Sequence, residues 1–170
     1  INIILNEGNP FVINDIVFQN ELSDTSKKGL LNQVKFKKGD IFNERALEES
    51  KKNINNFFEK DGFTFIKINH EILNKDSKDY KFDIKFIISE AVKSYVRRIN
   101  ITGNNRTLDK VLRRELLILE GEPFNGQKLK DSLNALSRLG YFKSVNVNIV
   151  KTETPGVIDI EIQVVEDLTG

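Results

Sequence analysis

The chain has 170 residues, which suffices for one medium-sized domain or two small ones. Its 26 basic and 25 acidic residues nearly cancel, so the charge balance argues against nucleic acid or an anionic membrane surface as the main partner. The sequence has no cysteine, which excludes disulfides and thiolate chemistry, and no apolar run near the ~18 residues that a membrane-spanning helix needs.

The first half of the chain predicts a strand, two helices and a β-hairpin. The strand is predicted at residues 12–19 and a weak helix at 26–34. Asn43 is the predicted N-cap of a longer helix, and Gly62 lies where a left-handed C-cap is expected. Apolar and charged residues alternate over 80–88, which is the period of a strand with one solvated face. The apolar stripe of the longer helix consists of Leu47, Ile54, Phe57 and Phe58.

The second half predicts the same order of elements. A strand at residues 95–102 is followed by Thr107, the predicted N-cap of a short helix. A longer helix begins after Asn125 and ends at Gly140, and residues 158–164 alternate between apolar and polar as a strand does. The short helix has its predicted apolar face at Leu108, Val111 and Leu112, and the longer helix has its own at Leu129, Leu133, Leu136 and Leu139.

The two halves are copies of one pattern. Residues 7–20 align without gaps on residues 90–103, a spacing of 83, and residues 38–43 match 120–125. The longer helix differs by four residues between the halves, which is close to one turn of 3.6 residues. An additional turn lengthens a helix without rotating its apolar face away from the core, so the difference is compatible with a shared fold.

The predicted fold class is α+β, with two tandem domains of the order β-α-α-β-β at residues 9–92 and 93–170. Chain direction makes the first and third strands of each domain parallel, so the predicted sheet is three-stranded and mixed, and two helices cover it. The second strand, predicted at residues 63–73 and 141–150, pairs on one side only and is expected at the sheet edge. Residues 3–7 mirror residues 87–90, and residues 1–8 are therefore predicted to be the last strand of a preceding repeat.

Several motifs in the second half carry a resemblance to a known family. Residues 95–104 read YVRRINITGN, residues 139–142 read LGYF, and the chain ends in VVEDLTG. Together with Leu112-Arg113-Arg114-Glu115 and Glu120-Gly121, these motifs resemble the fifth, membrane-proximal POTRA (polypeptide-transport-associated) domain of BamA-type outer-membrane protein assembly factors. The first half carries the general pattern only and would be the fourth domain by position.

The resemblance implies a binding scaffold on the periplasmic face of the outer membrane, and not an enzyme. It implies that a membrane β-barrel follows this chain. The implied partners are unfolded outer-membrane β-barrel proteins, received by β-augmentation, and accessory lipoproteins of the BamD type. Glu120 occupies the position that pairs with that lipoprotein in the family. Arg113 and Arg114 are predicted to belong to the same partner-binding site, and we expect the Glu120 side chain to be exposed and free to rotate.

No catalytic, metal or cofactor site is predicted. His70 is the only histidine, and it lacks further His, Cys or clustered carboxylates at ligand spacing. The sequence has no G-x-S-x-G elbow and no phosphate-binding glycine loop. Adjacent carboxylates such as Glu48 and Glu49 are more typical of a solvated helix face than of acid–base catalysis.

The residues leave alternatives open. Arg113 and Arg114 are also typical of ordinary surface charge, and an edge strand is sometimes only protected and binds nothing. Another POTRA-bearing barrel transporter, of the two-partner secretion type, shares the expected fold. A small α+β RNA-binding module is a further alternative, but the neutral charge and the lack of aromatic–basic stacking pairs argue against a nucleic-acid partner.

Overall fold

A computed structural model describes residues 8–20 and 27–169 of the protein. The strand predicted at residues 1–8 falls, except for Gly8, outside the described residues, as does Ser26 at the start of the predicted first helix. In chain order the described elements are β1 (Val12–Asn20), α1 (Lys27–Leu31), α2 (Glu44–Lys60), β2 (Phe63–Thr64), β3 (Lys67–Asp76), β4 (Lys81–Ser89), β5 (Val92–Lys93), β6 (Tyr95–Thr102), α3 (Asp109–Arg113), α4 (Gly126–Arg138), β7 (Phe142–Lys151) and β8 (Val157–Glu166).

The predicted α+β class is confirmed, and the chain divides into two compact units. The first unit contains the residues up to Phe57 together with Ile66–Ala91. The second unit contains Phe58–Phe65 and the residues from Val92 onward. This division follows packing and not the sequence repeat, so the domain limits at 9–92 and 93–170 stay a prediction.

The main sheet of each unit is three-stranded and mixed, as predicted. In the first unit the strand order is β1-β4-β3, with β1 parallel and β3 antiparallel to β4. In the second unit the order is β6-β8-β7, with β6 parallel and β7 antiparallel to β8. The last strand of each repeat therefore lies in the centre of its sheet, and β3 and β7 are edge strands.

Side chains at alternate positions of the two central strands supply much of each core. This is the arrangement that the period-2 pattern predicts. The longer helices bury members of their predicted stripes against these strands, and Ile54 and Leu136 are fully buried. Complete burial of one such side chain contributes about 1.5–3 kcal/mol of transfer free energy. The buried apolar residues of the central strands are Phe82, Ile84, Phe86 and Ile88 in β4, and Ile158, Ile160, Ile162 and Val164 in β8.

The predicted cap of the longer helix in the second half is confirmed, but the predicted cap of the short helix is wrong. The Asn125 side chain accepts hydrogen bonds from the backbone N–H groups of Gln127 and Lys128, both at 3.0 Å. The N-cap of α3 is Leu108, which makes no side-chain cap and is 62% exposed. The backbone N–H of Thr107 instead donates to the carboxylate of Glu166 at 2.8 Å, because the end of β8 lies beside this loop.

The strand predicted to begin at Phe63 is divided in two. Phe65 has a positive φ of 56°, which a phenylalanine adopts only under constraint, and the backbone leaves the strand there. The two-residue strand β2 pairs with β5 inside the second unit, so that Thr64 lies opposite Val92. The hydroxyl groups of Thr64 and Ser94 are buried beside this pair and form a hydrogen bond of 2.7 Å.

Candidate protein-docking surfaces

Glu120 lies in the turn between α3 and α4, next to the open edge of β6. One of its carboxylate oxygens accepts a hydrogen bond from the backbone N–H of Ile99 at 2.9 Å. Because β6 is an edge strand, an N–H group on its outer side needs a partner from outside the sheet. Glu120 supplies that partner while its side chain stays 49% exposed.

Arg113, the last residue of α3, reaches the same point of β6. Its Nη2 donates a hydrogen bond to the carbonyl oxygen of Ile99 at 2.9 Å, and its Nη1 lies 3.8 Å from the Glu120 carboxylate. Its Nε donates to Asp109, one helical turn earlier, at 2.5 Å. The structure therefore brings Glu120 and Arg113 together and adds Asp109 as a second carboxylate on the same guanidinium.

Arg114 is placed differently from Arg113. It is the C-cap residue of α3, and its side chain is 69% exposed. Its Nε lies 3.5 Å from the carboxylate of Glu115, the next residue in the chain. An exposed ion pair of this kind adds little stability, so Arg114 is available to a partner at small cost to the fold.

The expectation that the Glu120 side chain rotates freely is wrong. The sequence places it in an exposed turn, but the tertiary structure holds its carboxylate against Ile99 and Arg113. The reason lies at the edge of β6, where the N–H of Ile99 has no partner strand. It donates to the charged carboxylate instead, and a charge-assisted hydrogen bond of this kind is strong enough to hold the side chain. Glu120 therefore combines a structural bond with exposure to a partner.

Two exposed leucines beside Glu120 were not identified from the sequence. Leu117 and Leu119 are 55% and 51% exposed, whereas Ile118 between them is fully buried. We call the set Leu117, Leu119 and Glu120 the Leu–Glu surface. Exposed apolar side chains bordered by a charged group are a feature of protein-binding surfaces.

The first repeat shows that the fold does not require leucine at these positions. Lys35, Lys37 and Lys38 occupy the places of Leu117, Leu119 and Glu120 and are likewise exposed. The local structure is the same, since a serine of the following helix accepts a backbone N–H bond of 2.8 Å in both copies, at Lys35 and at Leu117. The repeat alignment is the signal from which this surface could have been found.

The edge strands β3 and β7 form a second kind of candidate surface. Within residues 8–20 and 27–169, each pairs with a neighbour along one side only. On the face toward the helices, each presents a row of three side chains whose partners in the central strand are fully buried. We call these rows the first groove (Ile68, His70 and Ile72) and the second groove (Val145, Val147 and Ile149).

The grooves are incompletely covered by the helices of their units. Ile72 is 46% exposed and Val147 37% exposed, although both belong to the inner face of their sheets. An edge strand with free backbone groups and an accessible apolar row has the two features that an added peptide strand requires.

The described residues contain no group of three His, Asp or Glu side chains placed to hold a metal ion. Their buried side-chain nitrogen and oxygen atoms all have hydrogen-bond partners. His70 lies in the first groove opposite Phe86. Burial, together with the charge of Lys51, lowers the pKa of His70, and Glu48 and Glu44 act in the opposite direction.

The family model described as "POTRA: Surface antigen variable number repeat" matches residues 11–91 and residues 94–167. The chain belongs to the POTRA family. The two matches fall on the two halves of the internal repeat, and together they include every strand and helix named above except β5.

Curated relatives of this POTRA chain are named as outer membrane protein assembly factors. BamA of Nitratidesulfovibrio vulgaris is 29% identical over 174 residues, and BamA of Neisseria meningitidis serogroup B is 30% identical over 172 residues. Both alignments cover 100% of the POTRA chain, but only 22% and 21% of the relatives. The chain thus spans about a fifth of the length of the curated relatives it matches.

Solved POTRA structures share the fold. The crystal structure of Haemophilus influenzae BamA POTRA3–5 matches with a TM-score of 0.86 at 21% identity, covering 95% of this chain and 63% of that one. The structure of Haemophilus ducreyi BamA lacking POTRA domains 1–3 matches with a TM-score of 0.78 at 22% identity, covering 92% and 30%. Among the described residues, no POTRA helix is both long and apolar enough to cross a membrane.

Proposed function

We propose that this pair of POTRA domains is part of the periplasmic scaffold of a machine that assembles β-barrel proteins in the outer membrane. The observation that carries the proposal is that assembly factors named BamA align with the chain over its whole length. The two domains would then be the fourth and fifth of such a protein. They act by binding, and catalysis is not part of the proposed role.

The first proposed activity is docking of an accessory lipoprotein of the BamD type on the Leu–Glu surface. The support is the combination of two exposed leucines with a carboxylate whose position is held by backbone and guanidinium bonds. A carboxylate that is already held in place loses little conformational entropy on binding. Arg113 positions Glu120, and Arg114 offers an exposed guanidinium to acidic groups of the partner.

The second proposed activity is capture of unfolded outer-membrane proteins by strand addition at β3 and β7. The support is the open backbone edge of each strand together with the accessible rows of the two grooves. Backbone hydrogen bonds are common to all sequences, so such an edge accepts many clients. A receiver of diverse unfolded chains needs this tolerance.

The docking proposal is tested by converting the Leu–Glu surface to the chemistry of the first repeat. The variant Leu117→Lys/Leu119→Lys should bind the purified lipoprotein at least about tenfold more weakly, since interface anchors usually contribute more than ~1 kcal/mol. Its melting temperature should be unchanged, because lysines occupy the same positions in the first repeat. The measurement is calorimetric titration in parallel with thermal unfolding.

Leu108→Lys is the matched control, since Leu108 is 62% exposed in the same unit but outside the Leu–Glu surface. It should bind normally. Equal affinity of the double variant and the wild type would remove the two leucines from the docking site. Equal weakening by the control would show that added positive charge alone is responsible.

A further inference from the structure

The two grooves are the same structural feature with different chemistry. His70 in β3 lies opposite Phe86, and Val147 in β7 lies opposite Ile162, which are equivalent positions of the two central strands. Phe86 and Ile162 are both fully buried, so His70 and Val147 both belong to the inner face. The centre of the first groove therefore carries an imidazole where the second groove carries an isopropyl group.

At one pair of matching positions the two longer helices carry residues of opposite character. Lys51 in α2 and Leu133 in α4 are each the eighth residue after the N-cap asparagine of their helix. Lys51 keeps only 20% of its side chain exposed and lies 3.3 Å from the Glu48 carboxylate. Leu133 packs against the core of the second unit.

The charged groups that act on His70 come from this helix face. Lys51 lowers the pKa of His70 in addition to burial, and Glu48 and Glu44 raise it. On the neighbouring strand Lys85 lies 3.9 Å from Glu71, which follows His70 and points to the other face of the sheet. The lowered pKa favours the uncharged form of the His70 ring, which offers one hydrogen-bond donor and one acceptor to a ligand.

We propose that the two grooves select different client strands. The first groove binds a strand that places a hydroxyl or carboxamide side chain against His70, and the second binds a strand whose inner-facing side chains are all aliphatic or aromatic. This inference rests on the strand addition proposed above and concerns which strands each edge prefers. His70 and Lys51 are the residues that determine the preference of the first groove.

The preference follows from the groups that each kind of client side chain would bury on binding. An apolar client side chain over the first groove buries the His70 ring and the Lys51 ammonium without new hydrogen bonds, which is unfavourable. A charged client side chain of either sign meets a like charge on Lys51 or on the nearby glutamates. A neutral hydroxyl or amide can bond the imidazole, whereas the same group against the Val147 side chain has no hydrogen-bond partner there.

The test uses the whole chain and two peptides of alternating sequence. The peptides differ in one group, a methyl in one and a hydroxyl in the other. Both have valine at the inner-facing positions and serine or lysine between them, but one has threonine at the central inner position, which keeps the shape of valine. Backbone amide shifts of β3 and β7 in an NMR titration report the dissociation constant at each edge separately. We expect about tenfold tighter binding of the threonine peptide at β3, and the reverse order at β7.

The variant His70→Val/Lys51→Leu places the side chains of the second unit, Val147 and Leu133, at these two positions of the first. It should reverse the preference at β3 and leave β7 unchanged, so β7 serves as the internal control. The same preference at both edges, or a preference at β3 that survives the double substitution, would overturn the selectivity while leaving strand addition intact. If neither peptide binds at β3 or at β7, strand addition itself is overturned, and the selectivity with it.

Discussion

The guanidinium of Arg97 binds the carboxylate of Asp159 through two hydrogen bonds, from Nε at 2.9 Å and from Nη2 at 2.6 Å. The pair joins β6 to β8 beside an irregularity in their register between Val96 and Arg98. The first unit has the same arrangement with other residues, since the Asn14 side chain donates to Asp83 at 2.8 Å beside a shift in β1. Arg97 thus belongs to the sheet and is not free for a partner.

We expect Arg97→Asn to lower the melting temperature of the second unit and to change its acid response. Hydrogen bonding to Arg97 lowers the pKa of Asp159. Because the carboxyl pKa is lower in the folded state, the unfolded chain binds more protons as the pH falls. The pair therefore stabilises the fold fully above the unfolded pKa of about 3.9. This stabilisation is lost as the pH falls through the lower folded pKa.

Between pH 2 and 6 the free energy of unfolding should therefore depend less steeply on pH in Arg97→Asn than in the wild type. The difference corresponds to the uptake on unfolding of at most about one proton fewer. Lys143→Asn is the control, because it removes one exposed positive charge from β7 of the same sheet. An identical acid profile in the wild type and Arg97→Asn would contradict a stabilising role for the pair.

Glu120 variants should separate its structural bond from its charge. Glu120→Lys removes the acceptor of the Ile99 N–H and places a second cation beside Arg113, so we expect a loss of about 1 kcal/mol of unfolding free energy. Glu120→Gln retains a carbonyl oxygen that can accept the same bond, and its stability should stay within about 0.5 kcal/mol of the wild type.

Both Glu120 variants should bind the lipoprotein more weakly if the charge is recognised. Urea denaturation and calorimetric titration measure the two quantities on the same samples. Normal affinity of Glu120→Gln would mean that the charge is not recognised and that the lysine variant acts through the edge of β6. A compensating Arg→Glu change on the partner that rescues Glu120→Lys would support direct pairing.

Leu136→Ala should destabilise the second unit by roughly 2–5 kcal/mol, because it removes most of a side chain that is fully buried in the core. Leu119→Ala is the control of equal chemistry at a 51% exposed position and should cost little. Amide hydrogen exchange would locate the change, which we expect in residues of the second unit alone. Comparable loss of protection in β1 and β4 would show that the two units unfold together.

Gly103→Ala should be among the most destabilising small substitutions in the chain. Gly103 has a φ of 90°, and a Cβ there would lie 1.9 Å from the carbonyl oxygen of Val164. We expect a loss of more than about 2 kcal/mol, from the left-handed conformation and from the displacement of β8.

Gly121→Ala separates these two causes. Gly121 has a φ of 83° but no atom within 4 Å of the added carbon, so only the conformational cost of about 1–2 kcal/mol applies. Thermal unfolding of both variants gives the comparison. A Gly103→Ala variant no less stable than Gly121→Ala would show that β8 moves away at no cost.

Local patterns were sufficient for the main elements and for the topology of the two three-stranded sheets. Alternation in β4 and β8 and the helical stripes at Ile54 and Leu136 predict buried faces, because the periods of 2 and 3.6 depend on residues close in sequence. The mixed sheet with edge strands β3 and β7 follows from the order of elements. The resemblance, and not the periodicity, indicated Glu120 and the two arginines.

The sequence by itself determined the two-fold repeat, the α+β order and most of the side chains that fill each core. The tertiary structure alone decided which polar groups meet: Glu166 with the N–H of Thr107, 59 residues away, and Glu120 with that of Ile99, 21 residues away. Burial is a property of one residue and leaves a periodic trace in its neighbourhood. A hydrogen bond between distant segments depends on two residues and on the path of the backbone between them. Such a bond is directional and spans only a few ångströms, so it produces no periodic pattern in either segment.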